Sequence, residues 1–339
     1  MTGAAQPATL PTISVEPLED LAPEWLTLWG HVPGATPFNH PAWQTIWLRH
    51  RVEESQGPAS GPLFLAVRAD DRLVGVAALD PGQRVATQTG DPNVTDYAFP
   101  LALPGQEETV AAGIIEWLIE DLTGGLDLWG VPADSRMRRA FISASERFGW
   151  TYAEEPEAIC PRVELPGDFE AYVASLPKKD RHELRRKLRN AHAAGEVAFE
   201  SVTGAEPILA RFDRFLELMR ISRSDKDEFL TPEREAFFRD LAQTFGELEI
   251  ARLGTLLLDG REAAMIFYFE DESASYLYNS GYDPEDSHLA VGLLSKALAI
   301  EDAIARGKKV FDFLRGDEEY KRRLGGVPRQ LLTVRLRAR

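Results

Sequence analysis

Residues 309–325 read KVFDFLRGDEEYKRRLG. Val310, Phe311, Phe313 and Leu314 form an apolar run of strand length, interrupted by Asp312 and ended by Arg315, Gly316 and Asp317. A carboxylate inside such a run must find a partner or line a cleft, because an unpaired buried charge costs several kcal/mol. With Tyr320 and Lys321 close behind, strand, acid, glycine turn and Tyr-Lys pair form one wall of a candidate active site. A strand cap or ion pair without chemistry explains Asp312 equally well.

Working outward, the same order of patterns occurs twice. Residues 63–79, LFLAVRADDRLVGVAAL, and 249–269, EIARLGTLLLDGREAAMIFYF, each read as two strands joined by a tight turn, at Asp70-Asp71 and Asp259-Gly260. Each hairpin is followed by an amphipathic helix, 108–121 or 289–306, and a short strand, 126–129 or 310–314, ending at Gly130 or Gly316. Asp127 and Asp312 hold matching places. The connection carries Pro156, Pro161, Pro166 and Gly167, then a helical stretch over 168–194 whose Leu184, Leu188 and Ala191 fall at helical spacing. A strand at 197–202, a helix at 206–222 and a helix capped by Thr231 with Pro232 at its first position complete an α/β second half.

The chain has 339 residues, enough for two domains at roughly 150 residues each. The expected division is 12–165 and 166–339, with the last strand, 331–336, pairing with either lobe. No run reaches the roughly 18 apolar residues of a membrane span, and the start lacks a basic and apolar leader, so the expected location is cytoplasmic. Cys160 is the single cysteine, which excludes an internal disulfide and a cysteine-based zinc site, and it reads as a half-buried structural thiol. The net charge of −16 argues against DNA and other broad nucleic-acid binding. Two basic islands nevertheless stand out. Residues 178–192 read KKDRHELRRKLRNAH, and residues 306–339 carry eleven Lys or Arg against four Asp or Glu. Arg181, Arg185 and Arg189 are the candidate phosphate-binding residues of the first island, unless they form a solvated helix face. No histidine pair has metal spacing, and no metal is expected.

The series Tyr276-Leu277-Tyr278-Asn279-Ser280-Gly281-Tyr282-Asp283, Gly292-Leu293-Leu294 and Phe311 to Lys321 resembles the CelD/BcsL acetyltransferases of cellulose biosynthesis. That group has the GNAT fold and is similar to tandem-GNAT, Fem-type aminoacyl transferases; Pro37-Phe38-Asn39-His40-Pro41-Ala42-Trp43 also looks like the start of such proteins. The resemblance implies an α/β protein of two tandem GNAT-like lobes, each a mixed sheet flanked by helices, with the active site in the second. It implies acetyl-CoA as co-substrate, its phosphates at a helix start near Ser287, Val291, Gly292, Leu293 and Leu294. The glycine pattern of that loop is degenerate here, since Ser287 and Ala290 stand where the family has Arg or Gln and Gly.

A small-molecule or sugar amine would attack the thioester directly, with Lys321, Asp312 and Asp317 as catalytic candidates and Tyr278, Asn279, Tyr282, Arg315 and Tyr320 as acceptor-binding candidates. Two other readings stand beside it. A Fem-type transferase would use aminoacyl-tRNA, and a catalytically silent pair of lobes would bind a polysaccharide-synthesis partner.

Overall fold

The structure, a computed structural model, describes residues 11–50, 61–121 and 124–339; the leader reading over residues 1–10 lies outside them. Contacts divide the chain into two units, Met1–Ala158 with Gln330–Arg339, and Ile159–Arg329.

The first unit holds β1 (Thr12–Val15), α1 (Leu18–Trp29), α2 (Pro41–His50), β2 (Leu63–Ala69), β3 (Arg72–Asp80), β4 (Val85–Gln88), β5 (Leu101–Ala102), α3 (Glu107–Asp121), β6 (Gly125–Pro132), α4 (Arg136–Phe148) and β7 (Thr151–Ile159). The second holds β8 (Arg162–Glu164), α5 (Phe169–Ser175), α6 (Lys178–Ala194), β9 (Val197–Thr203), α7 (Ala205–Ser222), α8 (Ser224–Phe229), α9 (Pro232–Glu247), β10 (Ala251–Leu258), β11 (Arg261–Glu270), β12 (Ala274–Tyr282), α10 (Val291–Ala305), β13 (Val310–Asp312) and α11 (Glu319–Arg323). The final strand, β14 (Gln330–Arg337), pairs antiparallel with β6 in the first unit's sheet. Its alternating Leu332, Val334 and Leu336 enter that unit's core, which is why this strand joins that sheet.

The sheets run β1-β2-β3-β4-β6-β14-β7 and β8-β13-β12-β11-β10-β9. The repeat read from sequence is visible as β2-β3-β4-α3-β6 and β10-β11-β12-α10-β13. In each, a left-handed pair closes the hairpin: Asp70 and Asp71 at φ 47 and 60, Asp259 and Gly260 at φ 50 and 73. In each, the strand after the hairpin meets the strand after the helix in parallel over three residue pairs.

Every residue of β11 from Ala263 to Glu270 is buried, because helices cover both faces of the second sheet. One face carries Phe267 and Phe269 against Phe212, Phe215 and Phe245 of α7 and α9, with ring centroids 5.2–5.9 Å apart among them. The other packs Ala264, Ile266 and Tyr268 into the core that holds Leu294, Ala297 and Ile300 of α10.

Three boundaries differ from expectation. The helix read over 168–194 is two, split at Leu176 and Pro177, since proline lacks an N–H and its ring excludes the preceding turn. The second unit begins at Ile159 rather than 166, because β8 pairs antiparallel with β13. The strand expected over 310–314 stops at Asp312, where Asp312 Oδ1 accepts the Leu314 N–H at 2.8 Å and Leu314 turns left-handed at φ 56. A short acid that bonds the backbone two residues on is a turn former.

Candidate active site

The second sheet opens where β12 outlasts β13. Their parallel pairing covers Ala274 to Tyr276 against Val310 to Asp312, and β12 continues to Tyr282 without β13 beside it. A bulge at Tyr278 adds to the divergence, since Asn279 and Leu277 face consecutive residues of β11. At the end of β12 lies a cleft of about 320 Å³. Ser280 and Tyr282 line it from β12, Gly292, Leu293 and Lys296 from α10, Glu318 and Tyr320 from the segment entering α11, and Arg223 and Lys226 from the α7–α8 junction.

The helix start faces this cleft through a specific turn. A short 3-10 segment, Pro284–Leu289, opens on Asp283, whose Oδ1 accepts the Glu285 N–H at 3.0 Å. Ala290 then goes left-handed at φ 59, and its carbonyl accepts both the Leu293 and Leu294 N–H groups. The first turn of α10 has no acidic residue. A helix start of this kind favours an anion. A Cβ at Gly292 would lie 2.9 Å from Cδ1 of the Tyr282 ring, so the glycine lets that ring lie against the helix.

Two lysines dominate the electrostatics. Lys296, on the second turn of α10, is 5% exposed and makes no hydrogen bond or ion pair with another described residue. Its Nζ sits 5.6 Å from the centroid of the Tyr320 ring. Burial pushes it down to about 7, and the Lys226 charge acts in the same direction against the opposing pull of Glu318. Lys226 is half-buried, donates to the Ser280 carbonyl, and is pushed down to about 8 by burial and then by Arg223. Glu318 feels burial, which would raise it, but the Lys321 ammonium at 3.0 Å holds it below the ordinary carboxylate range. Burial, with Glu318, pushes the Tyr320 phenol up.

Of the residues read from sequence, Ser287, Gly292, Leu293, Tyr282 and Tyr320 line the cleft. Val291 and Leu294 instead face the core, at 1% and 0% exposure. Tyr278 packs its ring on Phe238 and Phe269 at 5.4 and 5.0 Å. Asn279 accepts from the Ser280 N–H through Oδ1 at 3.3 Å. Arg315 contributes its carbonyl to Lys321.

None of the three expected catalytic residues lines the cleft. Asp312 is buried in its turn, and Asp317 is exposed and bidentate with Arg322 at 2.9 and 3.0 Å. Lys321, 2% exposed, donates to the carbonyls of Leu314, Arg315 and Gly316 at 3.1, 2.7 and 3.3 Å. It therefore ties the 314–316 turn and Glu318 into place. Lys321→Met should leave three carbonyls and one carboxylate without their donor and lower unfolding free energy by about 3 kcal/mol. A urea midpoint equal to that of the parent would refute this holding role.

The expected phosphate arginines lie elsewhere. Arg181 donates to the Ala174 carbonyl at 2.8 Å, capping α5; Arg185 pairs with Glu170 at 2.8 Å; and Arg189 is exposed on α6. None lines the cleft. Sequence reading missed Lys226 and Lys296. Lys296 interrupts the apolar LLSKALAI of α10, the same signal that drew attention to Asp312.

In the first unit the equivalent opening is occupied. The Trp129 indole donates to the Gln88 carbonyl at 3.3 Å, and its ring would touch a Cβ at Gly90 at 3.2 Å. The start of α3 carries Glu107 and Glu108, and Glu107 accepts the Gly105 N–H at 2.8 Å. A helix start supplied with its own carboxylates repels a second anion.

Among the described residues no cluster of His, Cys, Asp or Glu suits a metal, and no helix is long and apolar enough to cross a membrane. Residues 178–322 match the family described as Acetyltransferase (GNAT) domain. The whole chain is similar to the crystal structure of FemX at 12% identity and a TM-score of 0.65, covering 95% of this chain and 96% of that one. It is also similar to a conserved protein of unknown function from Bacteroides thetaiotaomicron VPI-5482, at 12% identity and a TM-score of 0.62 over 96% and 99% of the two chains. At these identities the likeness concerns the fold alone, which is a mixed α/β arrangement of two sheets flanked by helices. No curated protein matches the sequence.

Proposed function

We propose that the second unit is an N-acyltransferase that moves an acetyl group from acetyl-CoA to a small-molecule or sugar amine. The observation that carries this reading is the sheet opening between β12 and β13 with the α10 start at its mouth, inside a segment that matches an acetyltransferase domain. The thioester supplies the activated carbonyl. The residues present suit such a group: a helix start free of acids, a glycine at its second position, and an apolar Leu293 beside it. The likeness of residues 276–283 and 311–321 to CelD/BcsL proteins supports a sugar or other small amine as acceptor.

In this reading the chain provides no nucleophile. Lys296, held near neutrality by burial, takes a proton from the acceptor ammonium, whose freed lone pair then attacks the carbonyl. The C–N bond forms, the C–S bond breaks, and the second amine proton leaves with the sulfur. Lys296 returns its proton to solvent. The helix start stabilises the charge that develops on the carbonyl oxygen.

Calorimetry tests the first step. Acetyl-CoA should bind in the micromolar to low millimolar range common for substrates. Gly292→Val, which must displace the Tyr282 ring, should weaken binding about tenfold or more with the fold retained. Absence of heat from the parent protein, together with no shift in its melting temperature, would eliminate the reading.

A further inference from the structure

Four charged side chains line the cleft, and two are already balanced. The Arg223 guanidinium is held by both oxygens of Asp225, at 2.9 and 2.7 Å, and Glu318 is paired with Lys321 at 3.0 Å. Lys226 and Lys296 are not. Among the described residues no carboxylate lies within ion-pair distance of either. Lys226 reaches a neutral acceptor, the Ser280 carbonyl, which uses one of the three donors on its ammonium and leaves two. The Lys296 ammonium lies near the face of the Tyr320 ring, 5.6 Å from its centroid.

Lysine is rarely this buried without a counter-charge. The protein as a whole carries a charge of −16, so a cationic surplus here is a local feature rather than a reflection of composition. An amine acceptor with no other charge would bring a second cation beside Lys226, even with Lys296 in the unprotonated form that takes the acceptor's proton. An acceptor that also carries an anion would bring the missing partner.

We infer that the acceptor is an amine bearing an anionic group, a phosphate or a carboxylate, and that Lys226 holds this anion beside Lys296. This rests on the proposed acyl transfer and narrows it to one class of acceptor. Lys226 is suited to the task by place: it comes from the short α8, which buries none of its own residues, and it reaches across the mouth to β12. The anion is distinct from the co-substrate's phosphates, which the same reading puts at the α10 start.

Matched pairs of amines test the inference by direct binding as well as by turnover. Calorimetry on the full chain, with and without saturating CoA, would compare O-phosphoethanolamine with ethanolamine, glucosamine 6-phosphate with glucosamine, and lysine with 1,5-diaminopentane. The anionic member of at least one pair should bind at least tenfold more tightly and have the higher kcat/KM. Lys226→Glu should abolish or reverse that preference while acetyl-CoA affinity changes less than threefold, and Lys226→Arg should retain it. A merely structural lysine would not reverse a charge preference.

Equal binding within every pair overturns the inference, whether or not acetyl-CoA binds. So does mutual exclusion of O-phosphoethanolamine and CoA, or a Lys226→Glu variant that loses acetyl-CoA instead, since the cations would then serve the co-substrate. Failure of acetyl-CoA alone to bind removes the acyl-CoA reading and leaves the anion-selective cleft standing on its own measurements.

Discussion

Lys296→Met should lower turnover by about 10²- to 10³-fold, the usual worth of a positioned proton acceptor, and at the same time make the protein more stable. Both effects follow from one fact. A buried lysine whose pKa is pushed down to about 7 is a useful base near neutrality and an unfavourable cation in the folded state. In the unfolded chain the same amine titrates at about 10.4. Between these values the unfolded state binds a proton that the folded state lacks, so stability rises with pH from about 7 to about 10. Below pH 7 both states are protonated and the full penalty is present. Methionine keeps the length of the side chain and removes the charge, so its stabilising effect should be greatest below pH 7 and fade towards pH 10. At about 1.4 kcal/mol per pK unit the gain amounts to a few kcal/mol.

Rate and melting measurements across pH 5.5–10 check both halves. The parent kcat/KM should show an acid limb with a midpoint near 7, shaped also by the neighbouring Lys226, Lys321, Glu318 and Tyr320. That limb should vanish from the residual activity of the variant. A variant that is less stable than the parent at pH 6, or whose limb is unchanged, would show that Lys296 is neither strained nor the base.

Gly281→Ala is expected to be among the most damaging single substitutions in the second unit. An ideal Cβ at Gly281 would lie 2.3 Å from the Met219 amide nitrogen and 2.4 Å from the Leu218 carbonyl carbon. Both are backbone atoms of α7, and α7 is fixed by Phe212, Phe215, Leu216 and Met219, none more than 1% exposed. Neither β12 nor α7 can retreat without opening that aromatic layer. Overpacking against backbone places the cost at about 3 kcal/mol or more. For a unit of this size that means a fall in melting temperature of roughly 6–12 °C. Gly260→Ala is the control, because its Cβ would meet nothing within 4 Å and only its φ of 73 resists substitution. A Gly281→Ala melt no lower than that of Gly260→Ala would remove the close approach of β12 and α7 from the account.

Gly281 also shows how much of a motif can be read in advance. The series 276–283 marks the end of a strand near a candidate site, and the structure puts that strand end at the cleft. What the letters do not carry is the division of labour within it. Tyr278 belongs to an aromatic layer, Ser280 and Tyr282 face the opening, and Gly281 exists for a helix some sixty residues earlier in the chain. On a strand, alternation settles which side chains share a face, but which face is wet depends on what covers the sheet, and a bulge at Tyr278 shifts the count.

The stretch at 309–325 divides in the same way. An acid inside an apolar run was a sound reason to look there, and the acid turned out to end the strand by bonding the Leu314 N–H. Its neighbour Lys321 is committed to three carbonyls, which is a use of lysine that no local pattern announces. Of the two lysines that do face the cleft, Lys296 interrupts the apolar run of α10 and Lys226 sits in a short polar helix.

Local patterns were enough for the repeated hairpin–strand–helix–strand order, the tight turns and the Thr231 cap, because each depends on bonds between near neighbours or on a periodicity of two or 3.6. The cleft is different. It arises because β13 ends while β12 runs on, and because α8, α10 and the approach to α11 bring Lys226, Lys296 and Glu318, separated by up to ninety-two positions, into one low-dielectric space. Charge, burial and proton affinity are properties of that shared space, so they come into being with the packing and are not written in any one segment.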